Sequence, residues 1–132
     1  MLITGLFAGL CALMLLYLSI RVIRVRIKDQ VSVGAGGVPE LERAMRVQAN
    51  FVEYAPICLL MLGIVEMNGL VDWAIYALGG AFLLGRILHF IGFSSETGPI
   101  KLRQIGMLIT FAILLVLPGV LIAQYAGFLP QG

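Results

Sequence analysis

Residues 43–65 read RAMRVQANFVEYAPICLLMLGIV: two arginines, an asparagine, a glutamate and a tyrosine run into an apolar stretch with no loop residue between. A bilayer-crossing helix needs about 20 mostly apolar residues. Just upstream, Pro39 stands where the first turn of a helix accepts proline, and Glu40 and Glu42 follow where the positive end of the helix dipole favours acids. Just downstream, Asn68-Gly69 is a turn signal. The stretch therefore predicts one helix over 39–67. That is longer than a span, so its first turns should stand in the headgroups or the water.

The rest of the chain repeats the apolar half of this pattern. Of 132 residues, 61% are hydrophobic and 12% charged, and the mean hydropathy is +1.04. A soluble domain of this length could not hide so much apolar surface. The expectation is a single all-α domain, an integral membrane bundle of four helices over about 2–25, 39–67, 70–93 and 101–125. KDQVSVGAGGVPE forms the first connection and SSETGP the third. Residues 2–20 lack the basic start and cleavage site of a signal peptide, so they read as a retained span. Cys11 and Cys58 lie within apolar runs and read as small buried hydrophobes, with no metal site expected. Gly79, Gly80 and Gly85 read as places where the third helix can approach a neighbour closely.

All nine basic residues flank the first and third connections; the second has only Glu66 and Asp72 beside it. The excess of Lys and Arg on cytoplasmic loops then predicts both termini facing away from the cytoplasm. No nucleic-acid partner is expected; membrane lipids are.

On a helical wheel Arg43, Arg46, Asn50, Glu53 and Tyr54 share about 100° of surface, while Gln48 points to the opposite side. Charges at membrane depth cost several kcal/mol unless paired or wetted, so such a stripe faces a bundle interior or a cavity. Pro56 frees the carbonyl of Val52 from its helical bond. On the third helix Arg86, His89 and Phe93 share one face, and Arg103 opens the fourth. Two readings stand side by side. The arginines could snorkel or form an ion-pair ladder with Glu53. Alternatively, the groups converge on an electropositive pocket for a small zwitterion with extra carboxylates, arginines holding the carboxylates and Glu53 an ammonium.

The segment ELERAMRVQANFVEYAP resembles the signature of the membrane-associated proteins in eicosanoid and glutathione metabolism, the MAPEG family. That signature runs close to E-R-x-x-R-x-x-x-N-x-x-E-x-x-P, and Glu42, Arg43, Arg46, Asn50, Glu53 and Pro56 match it; Gln48 and Tyr54 match one branch. GRILHFIGF at 85–93 is similar to the family's third helix, and KLRQ at 101–104 more loosely to its fourth. The chain looks most like the short bacterial inner-membrane members. The resemblance implies a homotrimer binding glutathione between subunits as co-substrate. Arg46, Gln48, Asn50, Glu53, Tyr54 and His89 would hold the peptide, with Arg26 or Arg24 reaching in from a neighbour. Arg103 would be the catalytic residue that stabilises the thiolate. Phe93 departs from the tyrosine found in several members.

By that likeness the reaction is thiolate addition to a hydrophobic electrophile, or reduction of a lipid hydroperoxide, the second substrate arriving from the lipid. A noncatalytic lipid- or partner-binding protein on the same scaffold is the alternative. A small multidrug transporter would need a carboxylate in the first span, and residues 2–20 contain none.

Overall fold

A computed structural model describes residues 2–129. Among the described residues there are four helices and no strand: α1 Thr4–Asp29, α2 Pro39–Met67, α3 Asp72–Phe93 and α4 Ile100–Tyr125. Each is long and apolar enough to cross a membrane, and together they form a membrane four-helix bundle. α1 packs chiefly on α2, and α3 on α4; α2 also touches α3 and α4, whereas α1 and α4 do not meet.

α1 extends four residues beyond the expected end of the first span. There Lys28 Nζ meets Glu40 Oε2 of α2 at 2.9 Å, and Gln30 closes the helix in the left-handed region at φ 54°. α3 begins at Asp72, two residues later than expected, because the Leu70 amide bonds back to the Val65 carbonyl at 3.0 Å and closes the end of α2. α2 continues unbroken through Pro56, so the proline loosens one carbonyl without ending the helix.

Apolar side chains fill the centre, among them Phe7, Leu18, Phe51, Val65, Ile75 and Leu117. Lipid tails are as apolar as these side chains, so the hydrophobic effect does not select the pairing of helices; packing and polar bonds do. Gln48 donates to Ser19 Oγ at 2.8 Å, fastening α2 to α1. Glu66 accepts the backbone amides of Ile3 and Thr4, supplying an acceptor for the free N–H groups that open α1. Asn68 and Gln124 exchange two bonds and close the far end of the bundle, Gln124 being fully buried. Trp73, Tyr76, Tyr125 and Phe128 stand exposed at that same end, as in an aromatic belt.

Glycine shapes the α3–α4 seam. A Cβ on Gly106 would sit 2.6 Å from the His89 amide nitrogen, and one on Gly85 would meet the Gly106 carbonyl oxygen at 3.1 Å. A Cβ on Gly92 would strike the backbone of Arg103, its Cα at 3.0 Å. Of the three glycines singled out by sequence, Gly85 lies in this seam and Gly79 accommodates the Phe7 ring. Gly80 is corrected: a Cβ there would meet nothing within 4 Å, so no other helix of the chain approaches it closely. Gly92 and Gly106 carry the close approach instead.

Gly106→Ala is therefore expected to destabilise the bundle by about 1–3 kcal/mol through overpacking. Gly80→Ala should be neutral or slightly stabilising, as alanine is the better helix former. Unfolding in detergent micelles measures both. Equal stability of the two variants would show that the seam is not glycine-dependent.

Candidate functional site

Arg46, Asn50 and Glu53 leave α2 on one face, and His89 and Phe93 leave α3 toward the same side. They surround a cleft of about 240 Å³ completed by Ala49. The helical spacing accounts for the convergence: 46, 50 and 53 recur at intervals of four and three, as do 86, 89 and 93. Arg46 and Glu53 are exposed, and Asn50 is half-buried. Among the described residues Arg46 and Glu53 form no ion pair with each other or with any other side chain. The ladder reading is thereby corrected. Arg43 also leaves it, turning to Glu96 of the α3–α4 loop at 3.0 Å. Arg21 of α1 secures the same loop, donating to the Ser94 carbonyl oxygen at 2.6 Å and to Ser94 Oγ at 2.9 Å.

Phe93 touches two of the expected site residues. Its ring stacks on His89 with centroids 5.8 Å apart and an interplanar angle of 11°. The Arg103 guanidinium lies 5.0 Å from the centre of the same ring. His89 is buried, and its Nδ1 has no hydrogen-bond partner. Arg103 does not itself line the cleft. It lines a neighbouring hollow along α4 of about 460 Å³, with Gln104, Met107, Leu108 and Phe111. A third hollow of about 210 Å³, toward the start of α2, shares Arg46 and Phe93 with the cleft.

The fold does not bring the remaining expected residues into the cleft. Tyr54 packs edge-on against Phe111 of α4, 5.9 Å between centroids. Gln48 is occupied by Ser19 on the opposite face of α2, as its position on the wheel requires. Arg26 donates to the carbonyls of Gly34 at 2.9 Å and Val31 at 3.4 Å, pinning the α1–α2 loop. Arg24 is exposed.

Arg86 is the residue whose place sequence reasoning missed. Counted there among the groups of an electropositive rim, it is in fact 1% exposed inside the bundle. Its Nη2 donates to Asn50 Oδ1 at 2.5 Å, its Nη1 to Thr110 Oγ1 at 3.3 Å, and its guanidinium lies 5.8 Å from the centre of the Tyr54 ring. No carboxylate pairs with it among the described residues, and its Nε has no partner. The available signal was an arginine in the middle of LLGRILHF, where a charge must face inward.

The fold and cleft thus define a four-helix integral membrane protein with charged and hydrogen-bonding groups gathered at one end of the bundle. The chain belongs to the MAPEG family, whose sequence model matches residues 4–123. It is 36% identical over 115 residues to inner membrane protein YecN of Escherichia coli strain K12, covering 87% of this chain and 86% of that one. It is also 35% identical over 104 residues to human microsomal glutathione S-transferase 2, covering 76% of this chain and 67% of that protein.

Removing the Phe93 ring should release both of its partners. Phe93→Leu is expected to cost about 1–2 kcal/mol, from a lost aromatic stack and a lost cation–π contact. Phe93→Tyr should hold stability within about 0.5 kcal/mol, as the ring is kept. Thermal unfolding of the purified protein distinguishes the two, and a Leu variant as stable as the Tyr variant would remove Phe93 from this role.

Proposed function

We propose that the chain is a glutathione-dependent membrane transferase or peroxidase. The observation that carries this reading is the unpaired charge of the cleft: a carboxylate and an arginine on a helix long and apolar enough to cross a membrane, both exposed and, among the described residues, in no ion pair. A carboxylate cannot snorkel to anionic phosphates, so Glu53 calls for a cationic partner. The ammonium of glutathione supplies one, and the carboxylates of the tripeptide suit Arg46. Asn50 and His89 complete the polar wall. The human relative carries glutathione S-transferase in its name, which agrees with this ligand.

The same exposure supports an oligomer, because lipid is a poor cover for Arg46 and Glu53, and the family resemblance makes that oligomer a homotrimer. A second copy laid over this face would enclose the cleft between subunits. The neighbour would bring Arg26, or Arg24, toward a ligand carboxylate, and Gln48 and Tyr54 would act from the walls of the assembled site. We place the protein in the inner membrane with both termini away from the cytoplasm. The E. coli relative's name agrees with that membrane, and the side holding the basic residues sets the orientation.

In the reaction, Arg103 holds the thiol of glutathione as thiolate. A free thiol has a pKa near ~8.5 and only the anion is a good nucleophile. A guanidinium against the sulfur, shielded from water, that lowers this by ~2 units contributes roughly 2.7 kcal/mol. The thiolate then adds to a hydrophobic electrophile entering from the lipid, or reduces a lipid hydroperoxide. A noncatalytic binding protein is the second reading. It is favoured by the position of Arg103, which is held on Phe93 beside the cleft and does not line it.

Glutathione titrated into detergent-purified protein tests these readings. Wild type is expected to bind it and to develop thiolate absorbance in the ultraviolet, and Glu53→Gln to lose most of the binding. Arg103→Ala should lower conjugation about 100-fold, the rate equivalent of the thiolate stabilisation above, while affinity changes far less. Binding without thiolate absorbance selects the noncatalytic reading. Turnover unaffected by Arg103→Ala eliminates that residue's assignment.

A further inference from the structure

We infer that Arg86 is a positioning residue: it fixes the side-chain amide of Asn50 with its oxygen turned inward, so that the cleft meets an N–H donor at this point. The inference rests on the glutathione reading of the cleft and adds a polarity to it. A guanidinium carries five donors and no acceptor. The atom of Asn50 that meets Arg86 Nη2 at 2.5 Å is therefore its oxygen, whatever the surroundings. Arg86 has little freedom to release it. The residue is 1% exposed, and its other terminal nitrogen is held by Thr110, whose hydroxyl in turn donates to the Gly106 carbonyl at 2.9 Å. With Oδ1 committed to the core, the two Nδ2 protons of Asn50 are left for the cleft that Asn50 lines, and no protein acceptor takes them up among the described residues.

The wall therefore changes sign once along α2: a donor from Arg46, a donor from Asn50, then the acceptor Glu53. A bound peptide must present an acceptor, a carboxylate or carbonyl oxygen, opposite Asn50, and a donor opposite Glu53. A ligand that reverses this order is disfavoured, because a donor facing Nδ2 would leave two donors opposed and unpaired.

Asn50→Asp separates positioning from scaffolding. Aspartate has the same shape and accepts the Arg86 bond at least as well, so the bundle should unfold at the same temperature or higher. It offers the cleft an oxygen in place of the donor, and glutathione should bind about tenfold more weakly or worse. The loss should persist at high salt, which screens repulsion between separated charges but does not replace a missing donor. Arg86→Met, which frees the amide to turn over, should also weaken binding, and Arg86→Lys should restore part of it. Calorimetric titration of glutathione into each purified variant reads these outcomes. Binding by Asn50→Asp within twofold of wild type, or a loss that vanishes at high salt, overturns the inference and leaves the glutathione reading intact. Wild type that takes up no glutathione overturns both.

Discussion

The guanidinium of Arg86 sits where no water can solvate it, in the interior of a bundle whose outside is apolar. Its needs organise the surroundings. An ionised side chain at this depth costs several kcal/mol unless its hydrogen bonds are made. Here three helices supply contacts for it together, though not for its Nε: Asn50 and the Tyr54 ring from α2, Thr110 from α4, and Arg86 itself from α3. One buried cation thereby sets the relative register of three elements that apolar packing alone would leave free to slide. The absence of a carboxylate from this group matters. A formal ion pair would have neutralised the centre of the bundle, whereas amide, hydroxyl and ring leave its positive charge standing behind the cleft wall.

The glycines of the α3–α4 seam make that arrangement possible. Gly85 and Gly106 let the two backbones touch near Thr110, and the close contact of Gly92 with Arg103 brings the start of α4 up to Phe93. Phe93 then connects the seam to the site by carrying His89 on its ring and Arg103 near it. The seam and the cleft are in this sense a single construction: the residues that permit close packing also set how far Arg103 stands from the groups of α2. Where Arg43 and Arg21 hold the α3–α4 loop, the same end of the bundle is fastened from α1 and α2 as well.

The chain leaves Arg46 and Glu53 at its surface. A soluble protein would solvate such groups. A membrane-embedded face cannot, so its polarity is a statement about what lies against it. The proposed trimer and the proposed ligand answer the same requirement from two directions, one by excluding lipid and the other by pairing the charges. Arg26, Gln48 and Tyr54 make their contacts elsewhere in the chain, with the α1–α2 loop, Ser19 and Phe111.

Much of this was legible in the order of the residues. Apolar runs interrupted by glycine and proline specify helices and turns locally, and the 3.6-residue repeat puts 46, 50 and 53 on one face whatever surrounds them. The number of spans, the gathering of basic residues at one end, the polar stripe of α2 and the family signature are all properties of nearest neighbours along the chain. Which contacts those side chains make is not. Gly80 and Gly85 look alike in sequence, yet only Gly85 meets another backbone; Arg86 and Arg103 are both arginines near one end, yet one is sealed in the core and the other rests on an aromatic ring. Those differences arise from the rotation and distance between helices far apart in the chain, and only the packed bundle determines them.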